Sequence, residues 1–263
     1  MKLVFAALLL AAIVIGCNSP QKKETLSMAG AYKMLSQNVK SDSLDTTYTS
    51  LQQMKIYTDD YMMYANVNSP DSISSFGIGS YTVNGDTVTE NVIYNASDSS
   101  KNDSPGSFTV LIEKTAKGYK QVIPEIQSGN QKFKLTEEYD AAGTESKSPL
   151  DGAWKLVKRL EIKGTDTVVN QGVEYKTYYA GQCIWGNTWQ DSLKKTHTGI
   201  GFGKFEMVGP NKVKESMIAS TYSEVRGHDF DINIEMNGTD GFTQTTDYGS
   251  AGKGVEVYQR LKK

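Results

Sequence analysis

Between His228 and Met236 the chain alternates: Phe230, Ile232, Ile234 and Met236 are apolar, and Asp229, Asp231, Asn233 and Glu235 are polar. Side chains on a strand point alternately to opposite faces, so this pattern predicts a strand with one buried and one wet face. Turn chemistry punctuates the chain at regular intervals. Asn84-Gly85-Asp86, Ala116-Lys117-Gly118, Gly209-Pro210-Asn211 and Asn237-Gly238-Thr239-Asp240-Gly241 supply the residues that tight hairpins require. In the C-terminal half, strands are predicted to begin near Gly152, Val173, Gln182, Gly199, Lys212, His228, Gly241 and Gly254. No stretch beyond the N-terminal region sustains a helical period. Sequential hairpins in this number suggest an up-and-down meander closed into a barrel, which removes exposed sheet edges.

The chain also repeats itself. Met28-Ala29-Gly30-Ala31-Tyr32-Lys33-Met34 matches Leu150-Asp151-Gly152-Ala153-Trp154-Lys155-Leu156, about 122 residues later. Met54-Lys55-Ile56-Tyr57 returns as Tyr175-Lys176-Thr177-Tyr178, Ile78-Gly79-Ser80-Tyr81 as Phe202-Gly203-Lys204-Phe205, and Val88-Thr89-Glu90 as Val213-Lys214-Glu215. The expected fold is therefore all-β: two tandem antiparallel up-and-down β-barrels of about eight strands each. Residues 28–140 form the first and 150–263 the second, each owning its core, and the small polar stretch 141–149 joins them.

Ahead of the repeats, Lys2 precedes an unbroken apolar run from Leu3 to Ile15. The run is too short to cross a bilayer, which takes about 20 apolar residues, and has the form of a secretory signal. It ends in Val14-Ile15-Gly16-Cys17, which resembles the lipobox of bacterial lipoproteins. The resemblance implies that residues 1–16 are a signal peptide removed before Cys17, that Cys17 is lipidated, and that residues 17–27 are a polar tether. More than one acyl chain makes such an anchor stable. Asn18 is not the aspartate that holds enteric lipoproteins at the inner membrane, so the implied location is the bacterial cell envelope, at the outer membrane.

The ends of the second copy carry another resemblance. Gly152-Ala153-Trp154-Lys155-Leu156-Val157 looks like the first strand of the lipocalin and fatty-acid-binding-protein superfamily, and Val257-Tyr258-Gln259-Arg260-Leu261 looks like its last. In that group a terminal arginine packs across the first-strand tryptophan and closes the barrel floor, which gives Trp154 and Arg260 structural roles. The first copy has Tyr32 in place of the tryptophan, and a constant offset places Glu138 at the position of Arg260.

With 28 Lys and Arg against 30 Asp and Glu, the chain has no nucleic-acid footprint, and removing Lys2 makes it slightly more acidic. If Cys17 is lipidated, Cys183 is the one remaining thiol and has no disulfide partner; its apolar surroundings read as a buried structural cysteine. His197 and His228 sit in no spaced ligand cluster, so no metal is expected. Neither a nucleophile elbow nor a phosphate loop is present, so neither catalysis nor a cofactor is expected. The glycines 77, 79, 199, 201 and 203 read as points where a barrel wall bends.

Aromatic residues gather in the second and third strands of each copy: Tyr57, Tyr61 and Tyr64, then Tyr175, Tyr178, Tyr179, Trp185 and Trp189. Small barrels either fill with side chains or hold one small ligand. These aromatics are either core or cavity wall, with Tyr57, Tyr64, Tyr178, Trp185 and Trp189 the candidate wall. The leading expectation is a non-catalytic, membrane-anchored lipoprotein that binds a small apolar or amphipathic molecule in one barrel. The alternative is an envelope structural or protein-interaction module with solid barrels. Oligomeric state and the identity of the working repeat stay open.

Overall fold

A computed structural model describes residues 26–67, 74–96, 106–128, 130–144, 147–169 and 172–263. Cys17, the signal peptide and residues 17–25 of the tether lie outside the described residues.

The first repeat contains β1 (Gly30–Lys40), β2 (Asp45–Tyr48), β3 (Gln53–Tyr57), β4 (Tyr61–Asn66), β5 (Ser75–Asn84), β6 (Thr87–Asn95), β7 (Ser107–Lys114), β8 (Gly118–Ser128) and β9 (Gln131–Ala141). The second contains β10 (Gly152–Lys163), β11 (Asp166–Val169), β12 (Val173–Tyr179), β13 (Gln182–Gln190), β14 (Thr196–Gly209), β15 (Lys212–Ser220), β16 (Asp229–Met236), β17 (Gly241–Asp247) and β18 (Lys253–Arg260). Every neighbouring pair is antiparallel, and each sheet closes on itself through β1–β9 or β10–β18. β2 pairs with Gln37–Lys40 and β3 with Gly30–Lys33, along the same side of β1. They are two halves of one interrupted strand, as are β11 and β12 along β10. Each repeat is thus a closed eight-stranded up-and-down barrel.

Both barrels are floored by the same aromatic packing. Tyr32 meets Tyr119 edge-on at 4.8 Å and 78°, and Trp154 meets Phe242 at 4.8 Å and 79°. Tyr119 stacks on Tyr139 at 4.9 Å, and Phe242 on Tyr258 at 4.8 Å. The floor of barrel 2 adds Arg260, whose guanidinium lies 4.0 Å over the Trp154 ring and donates to the carbonyls of Asp151 (2.6 Å), Pro149 (3.1 Å) and Thr239 (2.7 Å). Gly152 is required there: at φ +144° it leaves the space that a Cβ would take from Arg260. In barrel 1 the register pairs Tyr32 with Ala141, so Ala141, not Glu138, stands where Arg260 does. A constant offset fails because the last two strands of barrel 2, β17 and β18, are shorter than β8 and β9.

A third core joins the barrels. Along β3 all five residues are buried: Gln53, Lys55 and Tyr57 point into the barrel, while Met54 and Ile56 face the other barrel. With Met63, Phe76 and Ile78 they pack against Tyr175, Ile184, Ile200 and Phe202 of the second repeat. The Phe76 ring sits against Gly186, where a Cβ would collide. Polar contacts cross as well, from Tyr179 to Asp59 (3.2 Å), from Lys263 to Asp60 (3.4 Å) and from Thr177 to the Met63 sulfur (3.3 Å). Each barrel owns its interior core, but neither owns this shared one.

Candidate functional site

Inside each barrel lies the same buried polar chain. In barrel 1, Lys55 Nζ sits 2.6 Å from Glu90 and donates to Gln121 at 3.2 Å; Gln121 in turn donates to Glu137 at 2.6 Å. The Tyr57 hydroxyl donates to Glu90 and that of Tyr139 to Glu137. In barrel 2, Lys176 sits 3.3 Å from Glu215 and donates to Gln244 at 2.9 Å, which donates to Glu256 at 2.9 Å. The Tyr178 hydroxyl donates to Glu215 at 2.5 Å and that of Tyr258 to Glu174, with Glu256 also within 3.0 Å. The topology enforces this repetition, because Lys55 and Lys176 occupy inward positions of corresponding strands and the matched glutamates enter from β6 and β15. Burial lowers the pKa of Lys176, but Glu215, Glu256 and Glu174 outweigh it and the pKa rises. Burial pushes the four tyrosines well above their ordinary range, so they act as neutral donors.

The barrels part company at the next two positions. Barrel 1 completes its chain with amides: Gln37 donates to Glu137 at 2.8 Å and Gln53 to the Tyr139 hydroxyl at 2.5 Å. Barrel 2 has Arg159 and Glu174 there. The Arg159 guanidinium bridges Glu174 and Glu256, with Nε 2.8 Å from Glu256, and Asn187 adds a hydrogen bond to Glu174 at 3.2 Å. Burial and the neighbouring Glu256 raise the Glu174 pKa despite Arg159.

Beside this cluster barrel 2 holds a cavity of about 220 Å³. Its polar side is formed by Arg159, Glu174, Lys176, Glu215, Gln244 and Glu256, and its apolar side by Trp185, Met217, Phe230 and Ile232. Trp185 lies over Gly201, where a Cβ would come within 2.5 Å of the indole, and the Tyr222 hydroxyl end crowds Gly199 in the same way. The two rings are nearly parallel (15°, centroids 5.9 Å apart). These two glycines make room for flat rings. Gly79 and Gly203 instead sit at β-bulges, where the wall does bend.

Of the aromatics singled out from the sequence, Trp185 lines the cavity. Trp189 stacks on His197 at 5.5 Å, and His197 is held by Asp191 at 2.8 Å. Tyr64 lies over Gly77, the barrel 1 equivalent of Trp185 on Gly201. Tyr57 and Tyr178 do not line this cavity: both are 0% exposed and belong to the packed floor and the polar chain. Tyr61, Tyr175 and Tyr179 point outward, into or beside the shared core. Cys183 is buried, its thiol pKa raised by desolvation. The polar chain escaped the sequence reading, although its signal was there: Lys55 with Lys176 and Glu90 with Glu215 recur in the matched segments.

A second space of about 720 Å³ opens between the barrel floors, lined by Tyr32, Asp59, Tyr179, Lys147 and Arg260 among others. It borders the linker, whose residues 145–146 lie outside the described residues. Among the described residues, no group of three or more His, Cys, Asp and Glu could hold a metal ion.

No family model matches the chain, and no curated protein does. Among solved structures, it is similar to a lipocalin-like protein from Bacteroides uniformis ATCC 8492, at 10% identity and a TM-score of 0.30, over 43% of this chain and 100% of that one.

Proposed function

We propose that this chain is an exported lipoprotein, lipidated at Cys17 and held at the outer membrane, whose second barrel binds one small amphipathic molecule without catalysis. The lipobox resemblance at Val14–Cys17 supports the anchor. The observation that carries ligand binding is the barrel 2 cavity, with aromatic and apolar side chains on one side and a buried ionised cluster on the other. At about 220 Å³ it is smaller than the roughly 300–1,000 Å³ of sites for drug-sized ligands, so its occupant is about the size of one ring.

Native mass spectrometry of the mature protein from its own cells should show one small molecule per chain. Filling the cavity with Met217→Trp should abolish that mass while barrel 1 is untouched. An empty parent protein would remove the binding reading. Cys17→Ser should move the protein from the detergent phase to the aqueous phase, and unchanged partitioning would remove the anchor.

A further inference from the structure

We infer that the barrel 2 cavity takes a flat, uncharged ring whose polar edge carries a hydrogen-bond acceptor, as in an aromatic carboxamide, and that it rejects carboxylate-headed apolar molecules. This rests on reading barrel 2 as a ligand site.

Shape is the first support. Trp185 and Tyr222 cover Gly201 and Gly199, inward positions two residues apart on β14, with their planes 15° apart. A wall paved with near-parallel rings presents a flat apolar face to the space beside it, which suits a planar ligand.

Charge is the second. Three carboxylates line the cavity, Glu174, Glu215 and Glu256, against two cations, Arg159 and Lys176. Both cations are committed: Arg159 to Glu174 and Glu256, Lys176 to Glu215 and Gln244. An incoming carboxylate would add a fourth negative charge beside two cations whose charge is already balanced by Glu174, Glu215 and Glu256. An incoming ammonium would have to stand beside the Arg159 guanidinium. Beside side chains this buried either arrangement is costly, and an uncharged head avoids both.

The third support is what remains unpaired. Among the described residues nothing engages Nη1 of Arg159, since the bonds of this side chain leave from Nε and Nη2. Asn187 donates its amide to Glu174, and its Oδ1 is shut away against Gly199 rather than open to the cavity. The cavity wall thus retains one N–H donor, the complement of a carboxamide's C=O.

Benzamide, benzoate and benzylamine share a ring and differ only in the head, and toluene has none. Each is titrated into the full mature chain and followed by tryptophan fluorescence and calorimetry. Benzamide should bind at least about tenfold more tightly than benzoate, benzylamine or toluene. Arg159→Gln together with Glu174→Gln gives barrel 2 the amide pair that barrel 1 already accommodates, and should bring benzamide to within about twofold of toluene. Benzoate or benzylamine matching benzamide, or a double variant that keeps the preference, overturns the inference and leaves the cavity reading standing. Failure of all four probes, toluene included, overturns both.

Discussion

The interiors of the two barrels are the same object up to a point. Floor rings, buried lysine, paired glutamates and linking glutamine recur with matching geometry. They diverge where Gln37 and Gln53 face Arg159 and Glu174, and where Tyr64 faces Trp185. Neutral amides satisfy a buried carboxylate without desolvating further charge. An ionised pair carries an effective penalty of several kcal/mol per ion and seldom stabilises more than an apolar replacement. Barrel 1 shows that the fold does not need the Arg–Glu pair. Its presence beside the cavity is why we propose the second barrel as the ligand site and the shared part as scaffold.

The scaffold should fail first and alike in both halves. Lys55→Met or Lys176→Met strands a buried glutamate and should cost about 3–5 kcal/mol by urea unfolding. Removing the partner too, as in Lys176→Met with Glu215→Leu, should recover most of that loss. A cost below about 1 kcal/mol in either barrel would mean that water reaches the chain and that the interiors are not equivalent.

The floor separates the barrels by a smaller margin. Trp154→Ala should cost about 3–5 kcal/mol, and Tyr32→Ala, with a smaller ring and no arginine above it, about 2–3 kcal/mol. Arg260→Ala should cost about 1–3 kcal/mol through lost stacking on Trp154 and the part-buried Asp151 carbonyl left unpaired. Because ring and guanidinium touch, the Trp154/Arg260 double variant should fall short of the sum of the singles; additivity would show that the contact carries no energy.

Strand rhythm and the repeat announced closed antiparallel barrels, because period two and turn residues are local properties. Which face of a strand looks inward is not local. Gln53, Lys55, Glu174 and Lys176 alternate with apolar neighbours and read as a wet face, yet they point into the barrels, while Met54, Ile56 and Tyr175 cover the opposite barrel. The shared core inverts the usual sign of the pattern. Arg260 shows the other limit: sequence offset paired it with Glu138, and only the strand register identifies Ala141. Trp185 was legible as an aromatic on a wall strand, but its partner Tyr222 follows β15 and carried no comparable signal.

The Arg–Glu pair can be tested apart from any ligand. Arg159→Gln alone leaves Glu174 and Glu256 facing each other and should cost about 2–4 kcal/mol at neutral pH. Arg159→Gln with Glu174→Gln should lie within about 1 kcal/mol of the parent, since it reproduces the barrel 1 arrangement. A double variant as unstable as the single would show that the two interiors tolerate different chemistry, and that barrel 1 is no template for barrel 2.

The smallest expected difference lies at the start of the first strands, where barrel 1 has Ala29 and barrel 2 has Asp151. Burial pushes the Asp151 carboxyl from 3.8 up to about 6, against the pull of the Ser148 amide and Arg260. Its Oδ1 takes no hydrogen bond and only Oδ2 accepts one, from the Ser148 amide at 3.3 Å, so the charge is only partly compensated. A raised acid pKa means that the fold prefers the neutral form. The penalty is absent below the unfolded value, grows as pH rises from about 4 to 6, and is constant above. The residue is partly exposed, so solvent screening trims the penalty to about 1 kcal/mol. Asp151→Asn should therefore leave stability unchanged near pH 4 and add about 1 kcal/mol at pH 7, read as the difference between paired urea midpoints across that range. A gain that is flat with pH would assign the effect to packing, and a loss at pH 7 would show that the ionised carboxylate is stabilised by Arg260 after all.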